Sequence, residues 1–256
     1  MKSKCCYLSN TEIKNHWHES DLSYGDLIIA IGSLFIGAPY QAATLETPDK
    51  EKLIVNVSAF DCTTFMETVL ALARCAFHEK ITPTEFRRTL KLIRYRQGII
   101  SGYSSRLHYF TDWLRDNEKK KVLQDISRHF DAQVHRKKIN YMTTHRESYT
   151  TLSNEDELQK MVVVEKNLSR KVFYIIGKDK VSQQKMDFKN GDIIAFTTNQ
   201  EGLDVAHVGF AYWKKKKLHF LHASGKEDGV VISKKTLTAY LKSNKKFTGI
   251  IVARPS

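Results

Sequence analysis

Residues 206–233, "AHVGFAYWKKKKLHFLHASGKEDGVVIS", decide the fold. Three short runs rich in β-branched and aromatic residues, "AHVGFAYW", "LHFLHA" and "GVVIS", are separated by turn chemistry, the pattern of antiparallel strands with tight connections. Outward from them, "GDIIAF" (191–196) precedes and "TGIIVAR" (248–254) follows, so the last third reads as an antiparallel meander. Upstream the periodicity changes. "DCTTFMETVLALARCAF" (61–77) spaces Phe65, Val69, Leu72 and Phe77 near a helical stripe without Gly or Pro, and puts Cys62 in the first turn. Thr82-Pro83-Thr84-Glu85 supplies an N-cap, Pro at the first helical position and Glu at the third, opening a helix that ends near Gly98. After the polar turn 98–106 an amphipathic stretch runs through Leu107, Phe110 and Leu114. Ser153 with Asp156 caps another, through Leu158, Met161, Val162 and Leu168. "GDLIIAIGSLFIG" (25–37) reads as a mostly buried helix, residues 38–53 as a loop, and Ser9 with Glu12 as the capping box of a short helix. Helices followed by strands predict an α+β fold, the helical N-terminal two thirds packed on one face of a C-terminal antiparallel sheet.

Composition narrows the class. The chain has 256 residues, 41% hydrophobic and 11% aromatic, which excludes disorder, collagen-like repeats and coiled coil. The longest apolar run, 27–40, is punctuated by Gly32, Ser33, Gly37 and Pro39 and falls short of the roughly 18 residues of a spanning helix, so no stable membrane insertion is expected. Four cysteines, with Cys5 and Cys6 adjacent, do not make a disulfide framework. The N-terminus carries early lysines but no apolar region of a signal peptide. Lys plus Arg number 41 against 28 Asp plus Glu, a formal charge of +13. Counterion release would draw such a chain to nucleic acid. Its densest runs, 214–217, 118–121 and 136–138, fall where turns are expected and read as solvated, so no nucleic-acid partner is expected. Another anionic polymer or a membrane surface would attract the same charge.

Cys62 is the first candidate for chemistry, because a helix N-terminus carries roughly half a positive charge and favours a thiolate. The alternative is a small apolar residue packed in a core, which is the reading for Cys75 on the same helix. A cysteine nucleophile needs a base, usually His, and the base needs an orienting partner. Along 206–213, residues 207, 209 and 211 share one strand face and are His, Gly and Ala, so His207 lies on an open face. His222 shares its face with Phe220 and Leu218, and His219 points away. A turn of even length, Lys214-Lys215 or Trp213 to Lys216, makes paired residue numbers sum to 429 and sets His207 directly opposite His222. A thiolate at a helix start, a base on a strand and a second imidazole to fix its tautomer follow triad logic. The alternatives are two ordinary strand histidines, or a metal site with Asp204 as third ligand. No HExxH or CxxC spacing supports the latter, so no metal or cofactor is expected.

The strings "FDCTTFMETVL", "NGDIIAF", "DVAHVGFAYW" and "LHFLHASG" followed by "GVVIS" occur in the order of the NlpC-type cell-wall cysteine hydrolases, which have a papain-like core. Cys before His distinguishes that order from the circularly permuted relatives that act on lipids. Within the superfamily, "GAPYQAATLE", "GYSSRLHYFTDWL", "INYMTTHR" and "GLDVAHVGF" resemble the bacterial N-acetylmuramoyl-L-alanine amidase-like family, from about residue 25 to the C-terminus. The resemblance implies residues 1–24 as an extension and 25–256 as a single papain-like catalytic domain with helical insertions at about 80–170. It implies hydrolysis of the amide between N-acetylmuramic acid and L-alanine in peptidoglycan or muropeptides. Cys62 would attack, His207 would accept and return the proton, and His222 would orient the imidazole. The Cys62 backbone N–H and Tyr40 would hold the oxyanion. Tyr103, Ser104, Ser105, Arg106, His108, His145 and Asp204 would line the substrate groove, with Arg106 as carboxylate clamp or structural ion pair. Two other functions stand beside it: an endopeptidase cutting the stem peptide after γ-D-glutamate, which needs the same triad and carboxylate clamp so that residue types do not separate the two, and a non-catalytic basic module binding wall polymer or nucleic acid. Members usually carry an export signal, which places the chain in the cell envelope. Without one in view, a cytoplasmic role on internalised wall fragments is the alternative.

Overall fold

Residues 22–47, 50–78, 81–183 and 187–256 are described by the structure, a computed structural model. The Ser9–Glu12 capping box lies outside them. The helices among these residues are α1 (Tyr24–Ser33), α2 (Cys62–Phe77), α3 (Pro83–Arg94), α4 (Phe110–Lys119), α5 (Tyr141–Thr144), α6 (Glu155–Ser169), α7 (Lys178–Gln183) and α8 (Leu237–Ser243). The strands are β1 (Leu123–Asp125), β2 (Gln133–His135), β3 (Phe173–Gly177), β4 (Ile193–Thr198), β5 (Val205–Lys214), β6 (Lys217–Ser224), β7 (Gly229–Ile232) and β8 (Phe247–Pro255).

Local chemistry starts the helices where the sequence signals them. Asp61 caps α2: its carboxylate accepts the Thr64 N–H at 2.7 Å, and the Thr64 hydroxyl accepts the Asp61 N–H at 3.0 Å, a reciprocal capping box. Phe65, Met66, Val69, Leu70, Ala73 and Ala76 are its buried side. The Thr82 hydroxyl accepts the Glu85 N–H, and Pro83 opens α3. The cap of α6 is Asn154 rather than Ser153, because the Asn154 side chain accepts the Glu157 N–H at 3.1 Å. Leu107 lies before α4, which begins only at Phe110.

The fold is mixed α+β, with every strand pairing antiparallel. Three features depart from the expected arrangement. Strands β1 to β3 lie within or just after the stretch read as helical. The sheet order is β2-β3-β8-β4-β5-β6-β7, with β1 also on β8, so β8 returns to the far side of β4 and only β4 to β7 form a meander. Both faces of the sheet are covered. Ile193, Ala195, Val208, Phe210 and Leu221 pack with α1 to α4, while Ile194, Phe196, Ala211 and Phe220 on the opposite face pack with Leu237 and Leu241 of α8. The alternation along β4 and β5 sends neighbouring residues to different cores. α8 was not anticipated as a second layer because its seven residues are too few for a periodic stripe.

Candidate active site

The hairpin between β5 and β6 is even in length but is displaced by one residue. Its two tip residues are Lys215 and Lys216, both left-handed at φ 47° and 63°, and Lys214 pairs with Lys217. Paired numbers therefore sum to 431, as in Phe210 with Leu221. His207 is not directly opposite His222; Gly209 is, and a Cβ there would lie 3.0 Å from the His222 Cβ. Because the shift is two in the sum, both imidazoles stay on one face. The space above Gly209 lets them meet diagonally: His207 Nε2 and His222 Nδ1 are 2.7 Å apart, ring centroids 4.8 Å, planes at 82°. Nδ1 is the His207 nitrogen left for another partner. Phe196, Phe220 and Tyr240 pack around the pair, Tyr240 centred 6.2 Å from His207 and 6.0 Å from His222. Tyr240 carried no signal in the sequence beyond being aromatic.

Cys62 is the first residue of α2 and is half-buried. The β5–β6 ladder is paired from Phe210 and Leu221 to the tip, and below it the Val208 backbone N–H favours a thiolate at Cys62. Cys62 and His207 line one recess of about 110 Å³, together with Thr63, Met66, Leu107, His108, Phe110, Trp113 and residues 203–206 and 208. The thiol is not shifted towards thiolate. Burial pushes it up to about 11, and the Asp61 carboxylate at the same helix end pushes the same way, outweighing the Val208, Thr63 and Cys62 donors. Burial, then His222, then Lys226 push His207 down to about 3, and burial pushes His222 down to about 4. Neutral thiol and neutral imidazole are therefore the resting pair. Cys75 is buried against Thr89 and lies away from the recess.

The Tyr40 loop is stitched to the segment that ends at Cys62. Phe60 N–H donates to Pro39, Gln41 N–H to Phe60, and Tyr40 N–H to Asp228. The Tyr40 ring lies against Gly225, where a Cβ would approach it to 3.1 Å, and Cys62 and Asp61 add to burial in raising its hydroxyl pKa.

The remaining expected groove residues divide into two groups. His108 and Asp204 line the recess. His108 Nε2 bonds the Tyr103 carbonyl at 2.9 Å, and burial with Arg106 nearby holds it well below the usual histidine range. The Asp204 carboxylate, 2% exposed, accepts the Thr111 and Val205 N–H groups at 2.7 and 2.8 Å. The others do not line it. Arg106 is 5% exposed, with its guanidinium bound to Glu46 at 2.7 Å and to the Leu45 carbonyl at 2.9 Å, and 3.6 Å from Glu51. Its charge is already matched. Tyr103 is buried under that guanidinium and donates to Glu46. Ser105 donates to the Gly102 carbonyl, the Ser104 N–H donates to Glu157, and His145 stacks on Tyr141 at 4.1 Å. Leu203 and Trp113, which do line the recess, carried no site signal in the sequence, and Phe110 reads there as part of an amphipathic stripe. Among the described residues no group of three or more His, Cys, Asp or Glu side chains could hold a metal, and no helix is long and apolar enough to cross a membrane.

Comparison with known proteins gives this geometry a context. The model of a family described as AmiA-like, N-acetylmuramoyl-L-alanine amidase-like, matches residues 30–250. The chain is similar to a solved N-acetylmuramoyl-L-alanine amidase from Bacteroides uniformis, at 39% identity over 91% of this chain and 99% of that one, TM-score 0.87. It is also similar to a Bacteroides fragilis structure provisionally named a xylanase, at 43% identity over 88% and 99%, TM-score 0.83. A Legionella pneumophila protein at 24% identity, covering 96% and 94% with TM-score 0.67, shares the fold. No curated protein matches the chain.

Proposed function

The chain belongs to the AmiA-like family of N-acetylmuramoyl-L-alanine amidase-like proteins, and from that premise we propose that it is a cysteine amidase hydrolysing the N-acetylmuramoyl-L-alanine bond of peptidoglycan fragments. The observation that carries the reading is the 2.7 Å contact between His207 Nε2 and His222 Nδ1, with His207 and Cys62 lining one recess. With Nε2–H donated to His222, the His207 Nδ1 lone pair is free to take the thiol proton as sulfur attacks the carbonyl. The Cys62 N–H and the Tyr40 hydroxyl receive the oxyanion. The His207 proton passes to the departing alanine nitrogen, leaving a muramyl thioester. Water, deprotonated by the same imidazole, then releases the acid and restores the thiol.

The helix-borne thiol before a sheet-borne base supports a papain-like, NlpC-type arrangement, with residues 25–256 as its catalytic unit and 1–24 as an extension. Arg106, matched by Glu46 and Glu51, serves as a structural ion pair that ties Leu45 and Glu46 to Glu51. The xylanase name of one relative finds no support in this recess. Glycoside hydrolysis uses two facing carboxylates, and Asp204 is the sole carboxylate among the residues lining the recess, held by two backbone amides. Peptidoglycan as substrate supports a place in the cell envelope, and action on internalised fragments would place the chain in the cytoplasm instead.

Incubation with muramyl-tripeptide followed by mass spectrometry tests the reading. Free muramic acid is the expected product, and Cys62→Ala abolishes its release. A stem peptide split after γ-D-glutamate, with the muramyl bond intact, identifies the endopeptidase instead. Salt-sensitive polymer binding without any turnover identifies a binding module.

A further inference from the structure

The tip of the β5–β6 hairpin takes no part in the recess, and two of its features run against stability. Lys215 and Lys216 sit at φ 47° and 63°, the left-handed region that Asn and Gly occupy at least cost in a two-residue turn. Lys214 to Lys217 are all exposed and crowd four like charges onto one turn. Among the described residues none of the four pairs with a carboxylate, and Asp192 in the adjoining turn is already matched by Arg254 at 2.8 Å. A cost kept at an exposed tip points to a role there. Next to the lysines, Trp213 is 40% exposed and fixed in place: its backbone N–H donates to the Asn190 side chain at 2.7 Å and its indole N–H to the Phe188 carbonyl at 2.8 Å. With that N–H engaged, the ring offers solvent only hydrocarbon.

We propose that this tip is a docking site for an anionic lipid surface, with Trp213 seated at headgroup level and Lys214 to Lys217 against the lipid charges. A two-residue turn is convex and has no groove along which a nucleic-acid or glycan strand would run, whereas cations around an aromatic ring match a flat, negatively charged interface. Docking is reversible and nothing crosses the bilayer, because four lysines and one ring make only a surface anchor. His207 lies eight residues before Lys215, about 25 Å along the strand. Docking face and recess are thus at opposite ends of β5, and the docked protein keeps Cys62 and His207 clear of the lipid. That span also exceeds the ~8 Å screening length of physiological salt, so the tip charges leave the imidazoles unaffected.

The experiment sediments the full chain with vesicles of phosphatidylcholine, with and without phosphatidylglycerol. The protein travels with the mixed vesicles and not with pure phosphatidylcholine, and its tryptophan emission shifts to the blue on binding, a shift absent in Trp213→Phe. Lys215→Asn with Lys216→Gly removes two charges and relieves the turn. It lowers the lipid partition coefficient about 25-fold while raising Tm, so the loss of binding does not come from unfolding. Lys214→Gln with Lys217→Gln, which leave the turn alone, lower it by about the same factor. Equal sedimentation with neutral vesicles, or unchanged sedimentation of both double variants, overturns the proposal. Binding to single-stranded DNA or to peptidoglycan, with none to the mixed vesicles, overturns it as well. No readout depends on turnover, so such a failure leaves the amidase reading standing.

Discussion

Cys62 stands where a helix end offers roughly half a positive charge, yet its thiol moves away from ionisation. Two local facts decide this. The Asp61 carboxylate that caps the helix occupies the same end and cancels much of that charge, and burial penalises a thiolate more than three hydrogen-bond donors favour it. His207, facing only a neutral His222 and the cation of Lys226, has no anion to hold a proton for it. The thiol thus loses its proton during attack rather than before it. Two pH measurements follow. Alkylation of Cys62 by iodoacetamide in the free protein is slow at pH 7 and rises about tenfold per unit towards about 11. The kcat/KM is level across neutral pH and falls on the acid side only as the imidazole pair takes up protons, with apparent values of about 3 and 4. Rapid alkylation at pH 7, or an acid limb near pH 6.5, overturns this account.

At the level of elements, the β5–β6 hairpin positions both imidazoles. Four consecutive lysines give no chemical reason to choose one pair as the tip, so an even turn entered the sequence reading only as a condition and the exact register was not legible. What selects Lys215-Lys216 is packing further down, where Phe210 meets Leu221 and Gly209 meets His222. The start of α2 was legible because Asp61 and Thr64 are local to it, while the position of β8 beside β4 depends on contacts distant in the chain. Gly209 is the strictest point of the hairpin, since a Cβ there sits 3.0 Å from the Leu221 carbonyl oxygen as well as from the His222 Cβ. Gly209→Ala keeps the circular-dichroism spectrum but displaces His222 and lowers kcat/KM about 10–100-fold; unchanged kinetics would show that the diagonal imidazole contact is not needed. At the tip, two left-handed lysines are replaceable by residues that prefer that conformation. Lys215→Asn with Lys216→Gly stabilises the protein by about 1 kcal/mol and raises Tm about 2–4 °C, measured by calorimetry.

Across the whole molecule, burial of the sheet on both faces sets the response to acid. The layer containing α8 surrounds His207 and His222 with Phe196, Phe220 and Tyr240, and the helical layer encloses His108. All three imidazoles take up protons less readily folded than unfolded. The stability tied to their neutral form is complete above about pH 6.5 and is lost as pH falls from there towards the folded values, about 3 for His207 and about 4 for His222. Buried carboxyls oppose this trend. Glu67, Asp112 and Asp204 have raised pKa values, so protonation at low pH relieves the burial of their charge. The histidine contribution is therefore read as a difference between proteins. Tm falls from pH 6.5 to 4, and the fall is shallower in the His207→Asn, His222→Asn double variant, whose side chains do not titrate. Equal slopes in the two proteins would mean that acid unfolding is governed by the formal charge of +13 growing with acidity, and that the enclosed imidazoles contribute nothing to it.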